Sequence, residues 1–190
     1  MRLVLASASP RRANLLRAAG FDFVVRPAQV DERVLAGETP SAHVMRLART
    51  KAAACATDAG GGSIVLAADT VVVVNDDILG KPCDDSEAAS MLRRLSGRGH
   101  RVLTGVTAQT DTDVRVAVDE TEVWFEPLTP ADIAWYVASG EPRDKAGAYA
   151  IQGRASRFIS HIAGSYTNVV GLPIHVVWRL LRELDRDSRG

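Results

Sequence analysis

Cysteine is scarce in this sequence. Cys55 and Cys83 are the only two, and they make neither a CxxC pair nor a disulfide framework. A disulfide-stapled scaffold is excluded, and a reduced, cytoplasmic protein is the expectation. Aromatic residues are also few, at 5%, and Trp124, Trp135 and Trp178 are scattered, so no stripe exists on which bases could stack. Charge of one sign is not in excess either. Lys and Arg number 23 and so do Asp and Glu, which argues against a general nucleic-acid coat protein. No apolar run approaches the ~18–20 residues of a membrane span. The apolar stretch Leu3-Val4-Leu5-Ala6 before Arg11-Arg12 is too short for a secretory signal. His43, His100, His161 and His175 show no zinc spacing, and no GxSxG elbow is present. Neither nucleic acid nor a membrane is an expected partner.

What remains is ordinary globular usage: 46% hydrophobic and 24% charged residues exclude a disordered chain. A length of 190 residues accommodates one domain, or two closely packed lobes, but not several modules. The zero net charge hides an uneven distribution. Residues 1–20 carry Arg2, Arg11, Arg12 and Arg17 and no acid, whereas residues 108–132 carry seven acids against Arg115 alone. The basic start could hold an anion or form a solvated helix face.

Along the chain, strands and helices alternate. Residues 2–6 read as a buried strand, and Ser9-Pro10 as a cap and first turn of a helix with Leu15, Leu16 and Ala19 inward, stopping at Gly20. A second strand covers 21–26, and Thr39-Pro40 opens a helix to about Thr57. After the loop Gly60-Gly61-Gly62-Ser63, residues 64–74 form the strongest strand, followed by a hairpin-like turn at Asn75-Asp76-Asp77. A helix runs from about Ser86 to Leu95, and long strands cover 101–109 and 114–125. Thr129-Pro130 opens another helix, ending near Gly140. Residues 157–162 and 166–170 read as a strand pair around Gly164-Ser165, and Leu172-Pro173 opens the last helix. The pattern predicts an α/β class with a mixed sheet.

Four places carry chemistry. The strand Ile64-Val65-Leu66-Ala67-Ala68-Asp69-Thr70-Val71-Val72-Val73-Val74 is apolar in both alternating sets, so it is buried on both faces, and Asp69 interrupts it. A lone buried carboxylate costs several kcal/mol, so Asp69 needs a cation, donors or an opening to solvent. The competing reading ends the strand at Ala68 and lets Asp69 cap a turn; the four valines after Thr70 oppose it. On the second helix, Val44, Leu47, Ala48, Ala52 and Cys55 mark the inward stripe, and Lys51 falls inside it. A lysine there either snorkels out or reaches an anion. Gly80-Lys81-Pro82 places a lysine in a tight turn, without the flanking residues of a Walker A loop. Ser7-Ala8-Ser9-Pro10-Arg11-Arg12 joins a strand end to a helix start, and is either a phosphate cradle or an ordinary cap with surface arginines.

Taken in order, Ser7-Ala8-Ser9-Pro10-Arg11-Arg12, Ala68-Asp69-Thr70-Val71, Gly80-Lys81-Pro82, Thr104-Gly105-Val106, Asp144-Lys145-Ala146-Gly147-Ala148-Tyr149 and Gly171-Leu172-Pro173 resemble the Maf family of nucleoside triphosphate pyrophosphatases. The similarity runs from Leu3 to about Leu181; each motif is weak alone, and the ordered set is specific. The resemblance implies a single Maf-like domain over 1–190, made of two lobes that are not independent. It implies a long curved mixed sheet with flanking helices, similar to inosine triphosphate pyrophosphatases, with the site in the cleft between lobes. It further implies a homodimer that hydrolyses the α–β phosphoanhydride of a nucleoside triphosphate with Mg²⁺ or Mn²⁺. Asp69 matches the proton acceptor, and Glu32 a family acid placed near the metal that Asp69 would share. Ser7, Ser9, Arg12, Lys51 and Lys81 fall to the phosphate chain, and Arg11, Thr70 and Gln152 to base choice. Ile151-Gln152-Gly153 is similar to the subfamily acting on dTTP and UTP and unlike that acting on 7-methyl-GTP. Asn168 stands where relatives differ among themselves. A house-cleaning enzyme for modified pyrimidine nucleotides shares this chemistry. The competing class is a non-catalytic nucleotide sensor that binds a septum-formation partner through the acidic stretch 108–132.

Overall fold

Alternation along the strands decides how the chain packs. The computed structural model describes residues 2–59 and 61–187. Seven strands, β1 (Arg2–Leu5), β2 (Phe23–Val25), β3 (Ser63–Val74), β4 (Asp77–Leu79), β5 (Gly99–Gln109), β6 (Val114–Phe125) and β7 (Ile159–Ala163), pair in the order β2-β1-β3-β5-β6-β7, with β4 beside β3. β1 is parallel to both β2 and β3, while β4 runs antiparallel to β3 and β7 to β6, so the sheet is mixed. Among the described residues six α-helices accompany it: α1 (Pro10–Ala18), α2 (Pro40–Ala59), α3 (Asp85–Leu95), α4 (Pro130–Ala138), α5 (Tyr166–Val170) and α6 (Ile174–Asp187). No helix among the described residues is long and apolar enough to cross a membrane.

The chain forms two compact units. The first comprises Met1–Asp69, Thr104–Asp119 and Gly171–Gly190, and the second Thr70–Leu103 and Glu120–Val170. In the first unit, Leu3, Leu5, Ile64, Leu66 and Ala68 pack with Ala13 and Leu16 of α1 and with Val176, Val177, Leu180 and Leu184 of α6. The alternate set, Val4, Ala6, Val65 and Ala67, packs with Ala52 and Cys55 of α2. Both faces of β1 and β3 are therefore covered, as the continuous apolar run requires. The approach is close: a Cβ added to Gly105 of β5 would stand 2.4 Å from the Val44 carbonyl oxygen of α2. Glycine at 105 lets helix and strand backbones meet.

In the second unit the core is Val72, Val74 and Leu79, with Leu92 and Leu95 of α3, Ile133 and Tyr136 of α4, and Phe125, Tyr149 and Phe158. Local signals hold where capping chemistry is strong. Asp84 accepts the Glu87 N–H at 2.7 Å to start α3, and Thr129 and Asp132 form a reciprocal capping box on α4. Asn75 and Asp76 have φ of +50° and +65°, the left-handed pair that a two-residue hairpin between β3 and β4 needs.

Three expectations are corrected. Residues 166–170 form α5, not a strand: Gly164 turns the chain at φ +131°, Ser165 takes the Asn168 and Val169 N–H groups, and Asn168 Nδ2 donates to the Val102 carbonyl and Thr121 Oγ1. Tertiary hydrogen bonds override the β propensity of this Thr- and Val-bearing stretch. Arg157 and Phe158 belong to a 3₁₀ turn, so β7 begins only at Ile159. Ala19 is exposed, and Ala13 takes its place on the inner face of α1. Of the expected loop at 60–63, Gly60 lies outside the described residues, Ser63 already belongs to β3, and the Gly62 N–H is held by Asp111 Oδ2 at 3.0 Å.

Candidate active site

Period-two alternation on β3 puts Asp69 on the face of Val65 and Ala67, the face that α2 covers. Period-3.6 spacing on α2 turns Lys51 to the same face, beside Ala52 and Cys55. The two therefore meet. Lys51 Nζ donates to Asp69 Oδ1 at 2.7 Å, and both residues are only 7% exposed. The same ammonium lies 2.6 Å from Glu32 Oε1, on the segment between β2 and α2. Lys51 does not snorkel; it bridges two carboxylates that periodicity could not have joined.

Ser7 and Arg12 meet β3 at its middle, just before Asp69. Ser9 occupies the cap position of α1 but makes no side-chain cap; its N–H donates instead to Ser7 Oγ at 3.2 Å. Arg12 Nη1 donates to the Ala68 carbonyl at 2.8 Å and to Ser7 Oγ at 3.3 Å, and Nε donates to the Gly171 carbonyl at 2.8 Å. Arg12 is thus tied to the backbone immediately before Asp69. Burial pulls its guanidinium below the ordinary arginine value, Asp69 and Glu32 oppose that pull, and neighbouring Arg11 adds to it. Arginine stays protonated under either influence.

Five sequence-predicted residues, Ser7, Arg12, Lys51, Asp69 and Glu32, form this cluster, with Ser9 attached through its N–H and Arg11 half-buried beside it. Thr70 is half-buried and begins the second unit; Lys81 and Gln152 are exposed residues of that unit. A second charged cluster, unforeseen in the sequence, lies at the start of α2. Glu38 accepts from Arg46 Nε at 2.6 Å and meets His43 Nδ1 at 3.0 Å. Arg46 above all holds the Glu38 carboxyl down to about 2. Its signal was an acid just before the Thr39-Pro40 helix start, with a basic residue two turns inside.

The donor set suits a hard divalent cation. Glu32 and Asp69 lie close together through their shared contact with Lys51 Nζ, and Mg²⁺ or Mn²⁺ is commonly held by one or two carboxylates completed by phosphate oxygens and water. Among the described residues no group of three or more His, Cys, Asp or Glu is arranged to hold a metal ion.

The acids of 108–132 are largely engaged within the chain. Asp111 holds the Gly62 N–H, Asp113 and Asp187 flank Arg115, Asp119 faces His175, and Glu120 faces Arg101.

The profile of the Maf family, described as Maf-like protein, matches residues 2–184. A Symbiobacterium thermophilum protein named dTTP/UTP pyrophosphatase is 52% identical over 182 residues, covering 96% of this chain and 93% of its own. Proteins of the same name from Anaeromyxobacter dehalogenans (52%, covering 95% of this chain and 93% of theirs) and Pseudoalteromonas atlantica (46%, covering 96% of each) are also similar. Among solved structures, the Staphylococcus aureus Ham1 protein matches with a TM-score of 0.54 at 18% identity, over 96% of this chain and 99% of that one, a likeness of fold.

Proposed function

The chain belongs to the Maf family, and from that membership we propose that it is a nucleotide pyrophosphatase that hydrolyses the α–β phosphoanhydride of dTTP and UTP to the monophosphate and pyrophosphate. The observation that carries the reading is the buried Asp69, held by Lys51 on a strand otherwise apolar on both faces. Packing alone would be satisfied by an apolar residue at this position; a buried carboxylate kept among basic side chains is the kind of group that functional sites concentrate.

Asp69 orients an attacking water and takes its proton as the oxygen bonds to the α-phosphorus and the bridging oxygen leaves with pyrophosphate. Glu32 and Asp69 would hold the divalent cation, which when bound neutralises phosphate charge and lowers the pKa of water. Ser7, Ser9, Arg12, Lys51 and Lys81 bind the phosphate chain, and positioning with charge stabilisation supplies most of the acceleration in phosphoryl transfer. Arg11, Thr70 and Gln152 read the base. A primary amide offers one donor face and one acceptor face, which suits the N3–H flanked by carbonyls that thymine and uracil share. The free thiols Cys55 and Cys83 support a reducing, cytoplasmic setting. The family resemblance is what supports a homodimer.

Pyrophosphate release from an equal-concentration panel of dTTP, UTP, CTP, ATP and modified pyrimidine triphosphates tests the substrate class. Asp69→Asn should lower kcat on dTTP by ~10² or more with the fold intact. A fully active Asp69→Asn enzyme removes the base.

A further inference from the structure

The segment that carries Gln152 is a turn held at both shoulders by one pair of side chains, the buried Tyr136 and the half-buried Glu141. The Gly153 N–H donates to the Ala150 carbonyl at 3.0 Å, which makes Ile151 and Gln152 the corner residues. Ile151 packs against the core of the second unit, and Gln152 is exposed. On one shoulder the Ala150 N–H donates to Tyr136 Oη at 3.1 Å; on the other the Arg154 N–H donates to Glu141 Oε2 at 3.0 Å. Tyr136 Oη in turn donates to Glu141 Oε1 at 2.7 Å, which closes the ring.

The pair is itself anchored. Tyr136 is fully buried on α4, while the Glu141 N–H donates to Ser139 Oγ at 3.2 Å and the Glu141 carbonyl accepts from Lys145 Nζ at 2.8 Å. A Cβ on Gly153 would lie 2.4 Å from both carboxylate oxygens, so the carboxylate packs directly against the turn. A tyrosine buried only for packing needs one partner for its hydroxyl. Here one phenol and one carboxylate are spent on the two backbone N–H groups flanking a single exposed amide.

We propose that Tyr136 and Glu141 are specificity-positioning residues, which fix the 150–154 turn so that the Gln152 amide meets the pyrimidine edge in one orientation. The inference rests on the base-reading role given to Gln152 above. An amide that rocks by an ångström presents its donor and acceptor to different base edges, so discrimination needs a fixed backbone beneath it. Neither residue touches substrate in this account; both act through Gln152.

The test is steady-state kinetics on dTTP, UTP and CTP with Glu141→Gln, Tyr136→Phe, Gln152→Ala and the Glu141→Gln/Gln152→Ala double variant, alongside thermal denaturation. Glu141→Gln and Tyr136→Phe should each lower the kcat/KM ratio of dTTP over CTP by ~10-fold, mostly through KM, while kcat on dTTP stays within ~3-fold. In the Gln152→Ala background Glu141→Gln should change that ratio no further. Equal losses on all three nucleotides, or effects that multiply in the double variant, would mean a merely structural role and overturn the inference. If Glu141→Gln does not fold, Tyr136→Phe, which removes a single oxygen, decides alone. A Gln152→Ala enzyme with unchanged base preference sinks the role of Gln152 and this inference with it. An altered preference there, beside unaltered Glu141→Gln and Tyr136→Phe, sinks this inference only.

Discussion

Replacing Lys51 with methionine isolates what the buried charges contribute. At 2.7 Å and an effective dielectric constant near 20, the Lys51–Asp69 attraction is about 6 kcal/mol, and desolvation of two ions costs several kcal/mol each, so the intact pair contributes little net. The single variants are not balanced in this way. In Lys51→Met, Asp69 loses the ammonium 2.7 Å from it and retains the electrostatic influence of Arg12 and Arg46. Leaving a buried charge in that condition costs about 3–5 kcal/mol. In Asp69→Asn, Lys51 still has Glu32 at 2.6 Å, and the amide oxygen can still accept from it, so the cost falls to about 1–2 kcal/mol. The double variant removes both charges and should be no less stable than Lys51→Met, which gives a coupling of at least about 1–2 kcal/mol, the cost of Asp69→Asn alone. Urea unfolding at constant m measures all three. A Lys51→Met loss below about 1 kcal/mol, or additivity within about 0.5 kcal/mol, would show that Lys51 does not hold the Asp69 charge.

Two pH dependences follow from other buried groups, in separate windows. Burial holds the His100 imidazole down to about 4 from 6.5, with Nε2 on Tyr149 Oη at 2.9 Å. Its folded pKa lies below its unfolded one, so stability should be flat above pH 6.5 and fall by about 3 kcal/mol as the pH drops toward 4; a His100 titration midpoint near 6.5 by NMR would contradict this. Glu38, depressed from 4.5 to about 2 chiefly by Arg46, contributes stability that is present above pH 4.5 and lost as the pH falls toward 2. Glu38→Gln should flatten that acid limb in pH-dependent melting and leave the His100 window unchanged.

How much of this was legible in the sequence depended on whether a residue's environment is set by its own element. The two-sided burial of β3, the inward place of Lys51 and the depth of Asp69 all follow from periodicity, because a strand or helix carries its faces with it. Partners that sit on irregular backbone do not. Glu32 lies on a segment without regular structure, and only the family resemblance pointed to it. The Tyr136–Glu141 ring was invisible for the same reason: it joins a helix, a 3₁₀ turn and a loop through backbone N–H groups that no pattern records. The stretch 166–170 failed differently. Its composition favours a strand, yet Ser165 and Asn168 satisfy the backbone as a short helix.

The charges of the site constrain how it can receive a triphosphate. Arg12 and Lys51 carry two positive charges, and Glu32 and Asp69 carry two negative ones, so these four side chains cancel. A nucleoside triphosphate brings about four negative charges, and phosphoryl-transfer sites neutralise that load with metal ions and basic side chains together. The resting cluster therefore does not act as a general anion trap; its ammonium is already committed to two carboxylates. Arg12 is arranged otherwise. Its guanidinium donates to the carbonyls of Ala68 and Gly171, and these neutral acceptors help to orient it. The division of labour that follows is physical. Lys51 makes the buried Asp69 tolerable, Arg12 is tied to β3 just before Asp69, and the charge of a bound polyanion must be balanced from outside this cluster. A divalent cation bound with the nucleotide is the source of positive charge proposed above.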